Sequence, residues 1–290
     1  MNKPSLSVVF LTLNEEFHIG SAIENVKDIA DEIFVLDSLS VDRTVDVALG
    51  KGAKVYQRKF KNFGDQWNAA LKSLPIDTDW TMKMDPDERL TPALKTEILS
   101  RLENAGDCDA FKIVPALHFM GKNLHLDMMP VTRIWRTGIG EFSSNSVNEH
   151  FIVKSRQVVL KNKFLHLGCR DLHQWVDKQN RYTTAEAIRR FRGDASSARA
   201  NLFGTSLERR MWLKKLFFHL PFRYCLMFIQ YYLLKGMWMR GRVGFHYTIL
   251  RIWSRRMIEE KLLEMRLTGR ELVLPPNRFG FYDTRVPQCD

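Results

Sequence analysis

Residues 5–13 read SLSVVFLTL, a short, nearly continuous run of β-branched and apolar side chains. Such a run describes a strand buried on both faces. The period then changes: Ile19, Ala22, Ile23, Val26 and Ile29 recur at helical spacing, and EIFVLD at 32–37 returns to a strand. A helix over 42–49, a strand over 53–57, a helix over 63–74 and a strand DWTMKM over 79–84 continue the alternation. Strand and helix in turn predict an α/β fold with a doubly wound, mostly parallel sheet. Thr91 reads as an N-cap with Pro92 at the first helical position, opening a helix that runs to about Glu103.

Past Asp109 the segments shorten. Residues 110–114, 131–136, 148–153 and 158–167 read as strands, separated by loops rich in Gly, Asn and Ser. Beyond Asp171 the pattern is helical almost to Leu267, broken at Gly193, Gly204, Pro221, Gly236, Gly241 and Gly244. The expected division is a ligand-binding α/β domain over 1–170 and a helical, basic region over 171–290.

The chain has 290 residues, of which 45% are hydrophobic and 27% charged. That composition supports a sizeable core and excludes a disordered chain, a collagen-like repeat and a polytopic membrane protein. Four cysteines stand far apart with no CxxC, which argues against a disulfide scaffold or a cysteine zinc site and for a reducing compartment. The apolar run at 8–13 is too short for a signal peptide, and the longest uncharged stretch of the basic region, 224–234, is too short to span a bilayer. The net charge of +11 is local. Between Arg209 and Ile258 stand eleven Lys or Arg and no acidic residue, and outside that segment the two signs balance. A neutral domain with a basic appendage points to an anionic partner, either a membrane surface or a nucleic acid.

In an open parallel sheet, ligands bind beyond the carboxyl ends of the strands. Here the first strand ends in Asn14-Glu15, the second in Asp37-Ser38 and the fourth in Asp85-Pro86-Asp87-Glu88. Neither GxGxxG nor GxxxxGK is present, so the dinucleotide fingerprint and the P-loop are both absent. The mouth of the sheet instead presents carboxylates, which repel one another unless a cation or ligand compensates. Mg²⁺ and Mn²⁺ take oxygen ligands and bridge carboxylates to diphosphates. Taken alone, Asp-Pro-Asp-Glu is also a plain strand-ending turn.

With TLNEE (12–16), VLDSLSVDRT (35–44), FGDQWNAAL (63–71) and DWTMKMDPDERL (79–90) in series, the chain resembles family 2 glycosyltransferases of the GT-A fold. Within them it is most similar to the bacterial branch of lipopolysaccharide-core β-glucosyltransferases. The likeness is strong over the first ninety residues and looser at NEH (148–150), RYTTAEA (181–187) and the basic tail.

The resemblance implies an inverting hexosyl transfer from a nucleotide-sugar donor, UDP-linked, to a glycan or lipid-linked glycan of the cell envelope. Asn14, Glu15 and Asp37 would line the nucleotide pocket, with Asp37 on the base or ribose. Asn68 would face the nucleotide, although Trp67 precedes it where the branch commonly has Lys or Arg. Asp85 would lie near the ribose and the metal, and Asp87 would hold Mg²⁺ or Mn²⁺ on the diphosphate. Glu149 would act as general base. His166 ends the last strand, either as a further metal ligand or as a core histidine. Arg181 would neutralise the leaving diphosphate, whereas Lys178 reads as a solvated helix position.

Two other classes compete. A nucleotidyltransferase also joins such a sheet to acidic metal ligands, but Asn14-Glu15-Glu16 replaces its Gly-rich basic loop. A nucleic-acid binder would use the basic segment with Tyr231, Tyr232, Trp238 and Trp253 as stacking platforms, and would leave the acidic mouth without purpose. The expected partner of the tail is therefore an anionic membrane surface on the cytoplasmic side, not nucleic acid. Phe245, Ile249, Ile252 and Trp253 form one apolar stripe at helical spacing, which either lies in the membrane interface or packs on protein.

Overall fold

The computed structural model describes residues 4–126, 128–143, 151–153, 155–193, 201, 203, 208–209, 212, 220–274 and 279–289. β1 (Leu6–Thr12) is central, with β2 (Glu32–Asp37) and β4 (Trp80–Met84) parallel on its two sides, Thr12 opposite Asp37 and Phe10 opposite Met84. β3 (Lys54–Gln57) continues the parallel run beyond β2. The connections are α1 (Ile19–Val26), α2 (Thr44–Gly50) and α3 (Phe63–Ser73).

Both faces of β1 are buried, as the unbroken apolar run requires. Val8 and Phe10 pack with Ile19, Ile23 and Val26 of α1, while Val9 joins the cluster of Trp67 and Ala70 from α3 and Leu74 just after it. α4 (Pro92–Glu103) buries Leu94, Ile98 and Leu102 on one stripe, and Thr91 caps it by accepting from Leu94 N–H.

After the fourth strand the sheet turns mixed. β5 (Glu88–Leu90), β6 (Ala110–Phe119), β7 (Lys122–Asn123), β8 (Val131–Arg136) and β11 (Gln157–His166) extend it to the order β3-β2-β1-β4-β8-β6-β11-β5, with β7 pairing β6. β8 runs antiparallel between β4 and β6, and β5 runs antiparallel to β11. β9 (Glu141–Phe142) and β10 (Phe151–Ile152) form a separate pair. Of the strand expected over 148–153, residues 148–150 lie outside the described residues. The fold class is the one the sequence implied, a mostly parallel α/β sheet followed by helices.

Contacts gather the chain into two units, one of 1–118, 125–168 and 277–290 and the other of 119–124 and 169–276. The residues after 276 thus count with the sheet. The second unit contains α5 (Leu172–Phe191), α6 (Arg223–Phe228) with a π-helical turn over Ile229–Leu234, a 3₁₀ turn over Met237–Arg240, and α7 (Gly241–Thr268). α7 buries Gly244, Tyr247, Thr248, Ser254, Ile258, Lys261 and Met265. Gly244 is a close approach, since a Cβ there would stand 1.9 Å from Met237 O. Lys261 Nζ faces four oxygens of α5: Asn180 O and Oδ1, Thr183 Oγ1 and Thr184 Oγ1, at 2.6–2.9 Å.

That buried face is not the stripe singled out in the sequence. Phe245 and Ile249 are exposed, and Trp253 is half-buried beside Trp175, ring centroids 6.5 Å apart. Leu226, Ile229, Leu233, Leu234, Trp238 and Met239 are exposed as well.

Candidate active site

The loops after β1 and β2 clasp each other. Asn14, left-handed at φ 56°, donates its N–H to Ser40 Oγ (2.8 Å), and its Oδ1 accepts from Val41 N–H (2.8 Å). Glu15 N–H reaches Thr44 Oγ1 at 2.7 Å, Glu16 N–H donates to Asp42 Oδ2 at 3.1 Å, and Arg43 N–H donates to Glu16 Oε2 at 3.1 Å. Asn tolerates the left-handed region because its short side chain bonds locally. Leu39, also left-handed at φ 63°, has no such advantage, and conformations of this kind cost about 1–3 kcal/mol.

Asp37 departs from its expected role. Its carboxylate is fully buried and accepts from Thr12 Oγ1 (2.9 Å), Ser40 Oγ (2.5 Å), Ser40 N–H (2.9 Å) and Gln57 Nε2 (2.9 Å). A carboxylate has about four acceptor positions, and here protein donors fill them. Asp37 braces the loop over 38–44; it does not face open space toward a base or ribose. Asn68 departs similarly, because both ends of its amide pair with the Phe142 backbone, at 2.9 and 2.8 Å, and dock β9 onto α3. Trp67 is a core ring stacked on Phe142 at 5.3 Å, and Lys83 lies 4.7 Å over its face.

The chemistry gathers at the end of β4. Asp85-Pro86-Asp87-Glu88 is a turn: Glu88 N–H donates to Asp85 O (3.0 Å), and Asp85 N–H donates back to Glu88 Oε2 (3.0 Å). Pro at its second position presets the turn's φ. β11 then docks against this turn, with His166 opposite Glu88 and Leu167 N–H on Asp87 O at 2.8 Å. The result places His166 Nε2 3.7 Å from Asp87 Oδ2 and Nδ1 3.8 Å from Glu88 Oε1. The turn and the cluster of His166 with Asp87 and Glu88 are one structure.

Arg133 of β8 reaches into it, paired with buried Glu88 and, at 3.2 Å, with half-buried Asp85, its guanidinium 5.0 Å over the Phe164 ring. Burial works against the charge on Asp85, but Arg133, then Lys83 and His166, overcome it and hold the carboxyl well below the usual range. At Glu88, burial and the neighbouring Asp85 charge prevail over Arg133 and push the carboxyl up. Burial also opposes the charged form of His166, yet Glu88, Asp87 and Asp85 together raise it.

Among the described residues, no three His, Cys, Asp or Glu side chains already stand close enough to hold an ion. The donor chemistry nevertheless fits one. Asp87 and His166 present an oxygen and a nitrogen 3.7 Å apart, near the roughly 3 Å between neighbouring ligands of a small octahedral cation. Asp85 is the third member and is shared with Arg133. Asn14 and Glu15 lie at the β1 end of the same sheet. Glu149 lies outside the described residues. Arg181 sits half-buried on α5, in the second unit.

Arg133 and Lys83 escaped the sequence reading, and Glu88 was read only as part of the strand-ending turn. Each is a charged residue within or beside an apolar strand, and each is buried. Such residues are almost never fully buried unless paired, and that was the available signal.

Residues 7–140 match the model of glycosyl transferase family 2. An uncharacterized glycosyltransferase of Rickettsia felis is 30% identical over 198 residues, 63% of this chain and 69% of the relative. A lipopolysaccharide core biosynthesis glycosyltransferase of Rhizobium meliloti, LpsC, is 23% identical over 84% of this chain and 86% of its own. Among solved structures, glucosyl-3-phosphoglycerate synthase from Mycobacterium tuberculosis with Mg²⁺ and UDP shares 25% identity over 39% of this chain, with a TM-score of 0.34. The chain spans only 44% of that structure, and the likeness adds no argument. The family model falls on the sheet whose carboxyl ends carry the acidic cluster, and the rickettsial relative extends the match: the chain belongs to glycosyl transferase family 2.

Proposed function

We propose that the chain is an inverting, metal-dependent hexosyltransferase that uses a nucleotide-diphosphate sugar, UDP-linked, and a glycan or lipid-linked glycan acceptor of the cell envelope. The observation that carries this reading is the docking of β11 on the Asp85–Glu88 turn, which sets His166 beside Asp87 at the mouth of the sheet. The similarity to a lipopolysaccharide core enzyme supports the acceptor class.

Asp87, Asp85 and His166 would hold Mg²⁺ or Mn²⁺. When bound, the ion supplies Lewis-acid stabilisation of charge on the departing diphosphate. Arg133 ties Asp85 to Glu88, so the turn keeps its shape while carrying three acidic side chains. Glu149 takes the proton of the acceptor hydroxyl as its oxygen bonds to C1. The bond from C1 to the diphosphate breaks on the opposite face, and the nucleoside diphosphate leaves with the electron pair. Asn14 and Glu15 border the nucleotide side. A panel of UDP-, GDP- and dTDP-sugars, read by released nucleoside diphosphate, tests the donor assignment.

The second unit is assigned to the cytoplasmic face of the membrane. No helix among the described residues is long and apolar enough to cross one. The support is an exposed apolar set, Leu226, Ile229, Leu233, Trp238, Phe245 and Ile249, in a segment whose charges are all basic. That combination suits a helix surface lying in an anionic interface. Liposome sedimentation tests it: binding to anionic but not neutral vesicles, weakened by salt, is expected, and equal indifference to both contradicts it.

A further inference from the structure

Residues 279–289 are remote in sequence from the mouth of the sheet and in contact with it in space. Gly280 donates its N–H to Leu39 O at 2.6 Å, and Lys59 N–H donates to Tyr282 Oη at 3.3 Å. Asp283 N–H donates to Gln57 Oε1 (2.6 Å), and Gln57 passes the contact inward by donating to Asp37 Oδ2 (2.9 Å). Gln57 N–H donates to Pro287 O (2.8 Å) and Cys289 N–H to Gln57 O (2.9 Å), so this segment also covers the free edge of β3. Arg285 reaches Asp46 of α2 at 2.8 Å.

These contacts meet at the strained residue. Leu39 is buried and left-handed, a conformation that a leucine keeps only when its surroundings enforce it. From within, Asp37 fixes the next residue through the Ser40 N–H and hydroxyl. From without, Gly280 takes the Leu39 carbonyl. The approach is close, since a Cβ at 280 would stand 3.0 Å from Ser40 O and 3.3 Å from Val41 Cγ1.

We propose that the segment 279–289 is a positioning strap for the donor site. It holds Leu39 left-handed and thereby fixes the wall over 38–41, at the carboxyl ends of β1 and β2, against which the nucleoside diphosphate binds. The proposal rests on the reading that the donor sits at that end of the sheet. With the strap displaced, Leu39 relaxes and the wall moves, while Asp87 and His166, held by other strands, stay in place. Donor affinity falls and the chemical step does not.

The test uses full-length Gly280→Pro, which lacks the N–H and adds atoms against Ser40 O, and Gly280→Pro combined with Leu39→Gly. Glycine adopts the left-handed region without support, so it replaces the strap at Leu39 alone. UDP affinity by calorimetry, with donor KM and kcat, is the readout. Gly280→Pro weakens UDP binding about tenfold with kcat within about twofold, and Leu39→Gly recovers most of the loss. Unchanged affinity in Gly280→Pro, an equal fall in kcat, or a double variant no better than the single one overturns the proposal. Should Gly280→Pro not fold, Gly280→Val, whose larger side chain presses on Ser40 O and Val41, carries the same comparison with and without Leu39→Gly. A wild-type chain that binds no nucleoside diphosphate overturns the donor-site reading itself, and the strap with it.

Discussion

Replacing Arg133 by Met tests how the acidic turn is held. The Arg133 side chain is 9% exposed and its partner Glu88 1% exposed, so this ion pair is a buried one. Removing one member of such a pair costs about 3–5 kcal/mol, because the other charge is left uncompensated. Asp85 is 39% exposed and adds less, since water reaches it. Losing the guanidinium over Phe164 adds about 0.5–1 kcal/mol. A total near 4 kcal/mol, at about 2–4 °C per kcal/mol for a chain of this size, lowers Tm by about 10 °C. The loss depends on pH. Burial already pushes the Glu88 carboxyl above its ordinary range, and losing Arg133 removes a charge that opposes this shift. Folding then takes up a proton, so stability falls as pH rises, and the variant suffers less at pH 5 than at pH 8. Adding Glu88→Gln removes the orphaned charge and restores most of the loss. Urea melts of wild type, Arg133→Met and the double variant at both pH values measure this. A single variant within about 1 kcal/mol of wild type, or a double variant no more stable than the single, refutes the reasoning.

Asp87→Ala removes a carboxylate from a crowded turn, so the protein folds normally while metal-dependent turnover is lost, as thermal melts and product release together show. Glu149→Gln keeps the shape and loses the basicity; kcat falls about 10²–10⁴-fold with nucleotide affinity preserved, and a collapse of affinity at unchanged kcat would instead move Glu149 to the donor pocket. At Glu97 of α4, burial opposes the charge, but the Lys161 and Asn162 N–H groups and the Asn162 amide hold the carboxyl below its ordinary 4.5. Its stabilisation is therefore present above that value and lost as pH falls, and the stability gap between wild type and Glu97→Gln closes under acid titration. Lys261→Met strands the oxygens of Asn180, Thr183 and Thr184 between α5 and α7 and costs about 2–3 kcal/mol in urea melts, without changing UDP affinity.

The first four strands and their helices were legible because each buries a continuous or periodic apolar set, and the cap at Thr91-Pro92 is local chemistry. The site was legible as a list, not as an arrangement. Whether Asp37 contacts a ligand depends on Thr12, Ser40 and Gln57, and Gln57 comes from a different strand. His166 meets the acidic turn through an antiparallel register between residues 78 positions apart, His166 and Glu88, which no local pattern encodes. In the second unit the strongest apolar stripe of α7 faces outward. The packed face mixes Tyr247, Ile258 and Met265 with Gly244, Thr248, Ser254 and Lys261, so apolar periodicity alone does not pick it out. The segment 279–289 carries no strand pattern, and its hold on Gln57 and Leu39 is almost entirely through backbone groups, which composition does not report.

The central claim is that the turn Asp85–Glu88 and His166 form the metal-dependent donor site of a sugar transferase. The most direct measurement is release of nucleoside diphosphate from a nucleotide-sugar panel with Mn²⁺ or Mg²⁺, with EDTA, and with Asp87→Ala or His166→Ala at saturating metal. Turnover of one donor that EDTA abolishes, that returns with added metal, and that is lost in Asp87→Ala and strongly reduced in His166→Ala is the result predicted. Full turnover in EDTA, or an Asp87→Ala enzyme as active as wild type, would contradict it.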